Sequence, residues 1–515
     1  MECQTTWRER CRISGAGQRY PVTIYDGLTS AYKVSNSAWW STYQKTWEEK
    51  KAQAASEKAS NDYVTFTAGR FGGADSFLPI DQALTQKDMD AAKAGGADTA
   101  FYTVSRVSGE GADRAIDKGE YYLSDVERAN IELMAKNFDK AIVLLNVGGV
   151  IDTKFYDEIK ELDGMVLVSQ AGMEGGNAMA DWGSEANSVV GAAGETTQRY
   201  GGTLGIPNTV EADGPAGVRV TPVTTDADGK SVYNYCTAFP IGTMLAQTWN
   251  IDLLTRVGQA IGEEMAEIGI TLWLAPGMNI HRDPLCGRNF EYYSEDPALT
   301  GFVGSCITAG VQSNKGVGVT IKHYITNNQE TNRSKVNTSV SERALREIYL
   351  KGFEMVVRSA QPMAIMSSYN KVNGVYACEN FDLLESIPRG EWGFDGMVMT
   401  DWGAGGRASI DGQMHAGNDL VMPGRTQQRV IDALAGTPSN DLDSALILGD
   451  VQKCASRVLT MVMRSLQFGR MYDSVDVKAH TSTYDNLISY RAESKAVVKS
   501  AAVNKLEIPV RSNDS

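Results

Sequence analysis

Five stretches of this sequence place charged or aromatic side chains where a short apolar run gives way to polar residues. Asp213 and Arg219 follow one run, in EADGPAGVR, and Arg288 follows another, in HRDPLCGRNFEYYSEDP. Lys322 and His323 close a third, in TIKHYITNNQETNR, which also carries Arg333. Tyr369 closes a fourth, in AIMSSYN, and Asp401 a fifth, in MVMTDWG, with Trp402 beside it. Gathered in one cleft, these residues suit a substrate with many hydroxyl groups. Charged groups make strong, directional hydrogen bonds to hydroxyls, and an indole such as that of Trp402 can stack on the apolar face of a sugar ring. Each residue alone has a plainer reading. Asp401 could cap the next helix, Lys322–His323 could be a buried pair, and Arg288 and Arg333 could be surface ion-pair partners. His281–Arg282–Asp283 hints at a metal site but reads more simply as structural, and Glu110, in SRVSGEGADR, sits in what is ordinarily a flexible loop. The repetition at successive run ends favours the shared reading.

Repeated βα units would bring such residues together, because strand ends and the loops after them form one face of a parallel barrel. In residues 205–470, runs ending near Ala212, Leu274, Ile321, Met366 and Met399 read as strands, with a sixth at Leu420–Met422. A helix over Asp252–Ile268 aligns Leu253, Val257, Ile261, Met265 and Ile268. Ser339 and Glu342 form a capping-box pattern ahead of a face with Leu345, Ile348, Gly352 and Met355. This layout predicts a (β/α)8-type barrel, with six strand candidates against the eight of a complete one.

The first region, residues 1–185, alternates in the same way. Tyr63–Thr67, Ala100–Val104, Ala141–Leu145 and Met165–Val168 are short apolar runs of the kind buried on both faces of a parallel sheet. Ser124–Asn137 has helical periodicity through Val126, Ile131 and Met134, with Ser124 as its cap. An α/β layer domain is expected here. The Gly-, Ala- and Ser-rich residues 186–204 read as a linker, and the tail 471–515 receives no fold.

Composition narrows the classes. The chain has 515 residues, of which 42% are hydrophobic and 22% charged, an ordinary α/β balance with room for two or three cores. A net charge of −14 disfavours nucleic acid and anionic membranes, although acidity also simply keeps a chain soluble. No apolar run reaches the length of a membrane span. Cysteines at 3, 11, 236, 286, 306, 378 and 454 stand at no metal or redox spacing, and four scattered histidines build no metal site. No metal or organic cofactor is expected. Reduced thiols and the lack of a signal-like N-terminus suggest a cytoplasmic protein. No oligomeric state is assigned.

At these residues the sequence resembles glycoside hydrolase family 3, over about residues 60–470. DGPAGVR, APGMNIHRDPLCGRNFEYYSEDP, KHYITNNQETNR and VMTDWG look like family blocks in their fixed order, and VLLNVGG at 143–149 and SQAGMEGGNAMAD at 169–181 look like its α/β sandwich. The resemblance implies that Asp401 is the nucleophile and Glu110 the acid/base. It also implies that Asp213, Arg219, Arg288, Lys322, His323, Arg333, Tyr369 and Trp402 form the glycone subsite. The sandwich precedes the barrel, as in a permuted subgroup. The sequence departs from the family where the sandwich begins, before about residue 25, and where the barrel begins, before Gly205. It also lacks a fibronectin-like segment between about 185 and 205.

The implied chemistry is a retaining double displacement at a β-glucoside or oligosaccharide, with the two carboxyl groups about 5–5.5 Å apart. The nucleophile must be ionised and the acid protonated, so Lys322, Arg288 and His323 are expected on the nucleophile's side. Asp213 would take the far hydroxyls of a glucose-type sugar, which favours β-glucosidase over the β-xylosidase and α-L-arabinofuranosidase activities of the same family. Leaving-group contacts would come from loops such as Thr221–Asn234. One rival is an aldolase with Lys322 as a Schiff-base nucleophile, which needs a lowered lysine pKa and leaves the arginines without a task. The other is an inactive or sugar-binding homologue.

Overall fold

The computed structural model describes residues 24–31, 33–35, 37–57, 82–106, 108–167, 188–221, 223–225, 229–233, 236–471, 475–477 and 498–500. The expected strand at Tyr63–Thr67 and the block at 169–181 lie outside the described residues. The chain divides into two compact units. The first holds residues 1–174 together with 283–290 and 329–331, and the second holds the rest.

In the first unit, β1 (Thr99–Arg106), β2 (Lys140–Val147) and β3 (Gly164–Leu167) form a parallel sheet in the order β1-β2-β3. Helix α1 (Asp125–Asn137) joins β1 to β2. Parallel strands need such a crossover, and the helix covers apolar side chains such as Val104, Val143 and Leu145. Ser124 caps the helix as expected, accepting from Glu127 N at 3.0 Å. The buried face of α1 runs through Glu127, Asn130, Ile131 and Met134, whereas Val126 is only half-buried. A carboxylate tolerates that position because it is paired twice over. Arg106 Nη1 and Nη2 donate to its two oxygens at 2.7 Å each, and Ser124 N donates at 2.8 Å. Arg106 also donates to the carbonyls of Glu120 and Tyr122, at 2.9 and 3.2 Å. The sheet edge, the helix cap and the returning loop are thus tied at one point.

The second unit is built on a curled, half-barrel sheet of six strands. They are β4 (Gly194–Glu195), β5 (Val210–Ala212), β6 (Leu272–Trp273), β7 (Gly318–Tyr324), β8 (Ala364–Ser367) and β9 (Met397–Thr400), lying side by side in sequence order. Strands β5 to β9 are parallel; β4 is an antiparallel edge. Every residue of β7, β8 and β9 is buried, which explains why these runs are continuous rather than alternating. The sixth candidate, Leu420–Met422, forms only a bridge from Leu420 to Met399. Part of the expected linker is therefore strand, because Gly194 pairs with Glu211 and Glu195 with Val210. The polar stretch at 221–234 includes an antiparallel hairpin, Val223–Thr225 with Ser231–Tyr233.

Helices α2 (Ile251–Ile268), α3 (Pro297–Gln312) and α4 (Lys351–Ala360) connect the strands. Helices α2 and α3 meet at glycines. A Cβ on Gly258 would lie 2.5 Å from Ile307 O, and one on Gly310 would lie 2.2 Å from Thr255 O, so only glycine permits this approach. The cap ahead of α4 is Ser341, which accepts from Ala344 N at 3.2 Å, rather than Ser339. A π-helical turn at Leu345–Tyr349 then adds a residue to the winding. This shifts the apolar face, so that Ile348 is exposed while Leu345, Gly352 and Met355 are buried.

Candidate active site

The second unit brings the residues at its strand ends into two connected groups. Just after β5, the Asp213 carboxylate accepts from Lys322 Nζ of β7 at 2.7 Å and pairs with Arg219. Burial on its own would raise the Asp213 pKa, but the two cations outweigh it and hold the carboxyl well below its usual range. A permanently charged acceptor is thereby fixed at the strand end. Lys322 is itself almost wholly buried and is held by this ion pair.

The second group surrounds Asp401, which follows β9. Its Oδ1 accepts from Trp402 N at 2.7 Å, and its Oδ2 lies 3.8 Å from His323 Nε2. The buried imidazole is set from its other side. Tyr292 Oη lies 3.1 Å and Asn279 Oδ1 3.3 Å from Nδ1, while Asn279 also bonds the His323 backbone at both N and O. These contacts leave Nε2 facing the carboxylate. Tyr369, after β8, donates through its hydroxyl to Trp402 O at 2.9 Å. The Arg333 guanidinium stacks over the Tyr369 ring at 4.4 Å. Asp213, Arg219, Lys322, His323, Arg333, Tyr369, Asp401 and Trp402 are therefore all tied into the strand-end loops of one unit.

Arg288 is paired with Glu110. It lies in the first unit, where its Nη1 is 3.6 Å from Glu110 Oε1. Within that unit it is therefore paired with the residue expected to be the acid/base. Glu110 sits in a tight turn closed by the Gly109–Ala112 bridge. Segments distant in sequence hold this turn. Gly111 N donates to Glu330 Oε2 at 2.9 Å. The Asp113 carboxylate accepts from Gly287 N, Glu330 N and Thr331 N, at 3.2, 2.9 and 3.0 Å. A Cβ on Gly287 would lie 1.9 Å from Ala112 O, so the turn approaches to a distance only glycine allows.

Sequence reasoning missed Asn279, Tyr292, Asp113 and Glu330. The first two lie inside quoted motifs, but nothing in their spacing marks them as the supports of His323. The second two act through residues far off in the chain. A cavity of about 340 Å3 in the first unit, lined in part by Tyr121, Tyr122, Asp152 and Lys154, contains none of the expected site residues. Among the described residues, no group of His, Cys, Asp or Glu is arranged to hold a metal ion, and no helix is long and apolar enough to cross a membrane.

The glycosyl hydrolase family 3 N terminal domain matches residues 195–460, and the glycosyl hydrolase family 3 C-terminal domain matches residues 12–182. The chain belongs to glycosyl hydrolase family 3, with the domain named C-terminal placed first. It is 46% identical over 231 residues to β-glucosidase A of Butyrivibrio fibrisolvens, covering 45% of this chain and 26% of that one. The solved structure of β-glucosidase 3B from Thermotoga neapolitana in complex with α-D-glucose is 47% identical, covers 55% of this chain and 39% of that one, and gives a TM-score of 0.50. A β-glucosidase from Paenibacillus barengoltzii shares the fold across 90% of this chain and 81% of its own, with a TM-score of 0.64 at 22% identity. The chain thus spans about a quarter of the length of the curated relative from Butyrivibrio.

Proposed function

We propose that this protein is a retaining exo-β-glycosidase, a β-glucosidase that releases glucose from the non-reducing end of β-glucosides. The observation that carries this reading is the Asp213–Lys322–Arg219 cluster at strand ends of the same sheet as the His323–Asp401 pair. The first offers a charged acceptor for sugar hydroxyls, the second a buried carboxylate for the anomeric carbon. The glucose complex of the Thermotoga relative supports a glucose-type glycone.

In the proposed reaction, Asp401 attacks the anomeric carbon as Glu110 passes its proton to the departing glycosidic oxygen. The C–O bond to the leaving group breaks and a glycosyl ester forms on Asp401. Glu110, now ionised, takes a proton from water, whose oxygen attacks the same carbon and frees Asp401. Arg288 stabilises Glu110 in this ionised stage. His323, held by Asn279 and Tyr292, orients the nucleophile, while Trp402 offers a ring face to the sugar and Tyr369, bonded to Trp402 O, keeps it in place. Lys322, engaged by Asp213, has a binding task, which weakens the Schiff-base alternative. Neither nucleic acid nor a membrane enters this reading. A cytoplasmic location is proposed with it, supported by the buried thiols of Cys286, Cys306, Cys378 and Cys454, which form no disulfide among the described residues.

The test is nitrophenol release from aryl β-D-glucoside, β-D-xyloside and α-L-arabinofuranoside by the wild type and by Asp401→Ala. Glucoside activity abolished in the variant, with β-glucose as the first anomer seen by NMR, is expected. Activity untouched by the substitution would remove Asp401 from its role. Preferred cleavage of a pentoside would move the substrate to the other glycones of the family. A folded but inactive wild type would favour a binding homologue.

A further inference from the structure

Glu211 and Asp213 are two residues apart across the end of β5, a spacing that returns side chains to the same face of a strand. Their surroundings are opposite. Asp213 is neutralised by two cations, whereas Glu211 is completely buried and has no cation paired with it among the described residues. Thr209 Oγ1 donates to Glu211 Oε1 at 3.4 Å, and Oε2 has no hydrogen-bond partner among the described residues. Its strand partners, Gly194 of β4 and Leu272 of β6, bring no charge. The charged group that acts on it is Glu195 of β4, which has the same sign. Burial, reinforced by Glu195, pushes the Glu211 pKa up to about 8.

The carboxyl and Trp402 both approach Gly194. A Cβ there would lie 2.8 Å from Met422 Cε and 3.6 Å from both Glu211 Oε2 and Trp402 Cζ2. Trp402 Nε1 is also buried with no hydrogen-bond partner among the described residues. An unused donor and an unused acceptor therefore lie close to the same flexible side chain, that of Met422.

We propose that Glu211 is a positioning residue that leaves Trp402 in place beside Asp401 only while its carboxyl is protonated, so that its ionisation sets an upper pH limit on sugar binding. This rests on the reading of Trp402 as a sugar-contacting ring. Ionisation releases a proton to solvent and breaks no other bond. The buried anion then requires a donor, and the indole N–H is the unused one at hand. Drawing that N–H inward tilts the ring away from the sugar.

The full chain and Glu211→Gln are compared by pH profiles on aryl β-glucoside and by tryptophan emission without substrate. The amide cannot ionise and stands in for the protonated acid. For the wild type, KM is expected to rise about tenfold one pH unit above a midpoint near 8. In Glu211→Gln that rise is expected to vanish. The emission of the wild type should change over the same range, and the change should be absent from both Glu211→Gln and Trp402→Phe. An alkaline rise in KM unchanged by Glu211→Gln would overturn the proposal. So would an emission change that survives in either variant, or no change at all in the wild type. A wild type without glycosidase activity would defeat the functional reading alone, because the emission experiment still decides whether Glu211 acts on Trp402.

Discussion

The Asp401 group and the Glu110 turn are held by different means. Asp401, Lys322 and Asp213 stand at or just beyond the ends of alternate strands of one sheet, so the sheet's hydrogen bonds fix their backbones before any side chain contributes. Glu110 lies in a turn outside the described strands of the first unit. That turn is held by Glu330 and the close contact at Gly287, contributed by other segments, and by Asp113 beside it, which bonds to those segments. A nucleophile must be placed to a fraction of an ångström, and a strand end provides that rigidity. The acid/base role proposed for Glu110 rests instead on a turn placed by contacts between separate segments.

The sharpest test of this contrast is catalytic. Asp401→Ala should lower kcat by about 10⁴-fold or more on every substrate, because the proposed mechanism forms the glycosyl ester on Asp401. Glu110→Ala should cost about 10²–10⁴-fold on substrates with poor leaving groups and far less on nitrophenyl glycosides, which need little protonation. Equal losses on both substrate types would mean that Glu110 is not the acid. A next test is Asp213→Ala, which strands a buried Lys322 and should destabilise the second unit by about 3–5 kcal/mol. Denaturant titration with a glucoside KM measurement would show both effects.

The two β5 carboxyls should also give opposite pH dependences of stability. Asp213 has its folded pKa below the ordinary 3.8, so its contribution is present above that value and is lost as pH falls through the folded pKa. Glu211 is raised from 4.5 to about 8, so its contribution is full below 4.5 and lost as pH rises to about 8. Between those limits the slope is about 1.4 kcal/mol per pH unit at most. Melting curves across pH should show Glu211→Gln without the alkaline decline.

Smaller effects belong to the first unit. Arg106→Met leaves Glu127 buried and unpaired and should cost about 3 kcal/mol. It should also loosen the Glu120–Tyr122 carbonyls, detectable as faster amide exchange there. Ser124→Ala removes only the α1 cap and should cost about 1 kcal/mol. If Ser124→Ala proved as damaging as Arg106→Met, the buried pair would not be the organising contact of this unit.

Much of the framework was legible in the sequence because it depends on short-range patterning. Continuous apolar runs marked β1, β2 and β5 to β9, and Ser124 announced the start of α1. The failures have local causes. Gly-rich composition concealed β4, whose pairing partner is β5, and a π turn invisible to a 3.6-residue period displaced Ile348.

The site divides along the same line. Residue types at run ends were enough to nominate Asp213, Lys322, His323, Tyr369 and Asp401, because a strand end fixes where the next side chain emerges. The family blocks added Glu110. Only the tertiary structure decided that Arg288 pairs with Glu110, that Asn279 and Tyr292 set the face of His323, and that Glu211 is buried beside Trp402. Each of those facts is a meeting of segments far apart in the chain. Spacing along a sequence carries local geometry, but the charges and donors that a side chain meets in space depend on how the whole chain closes around it.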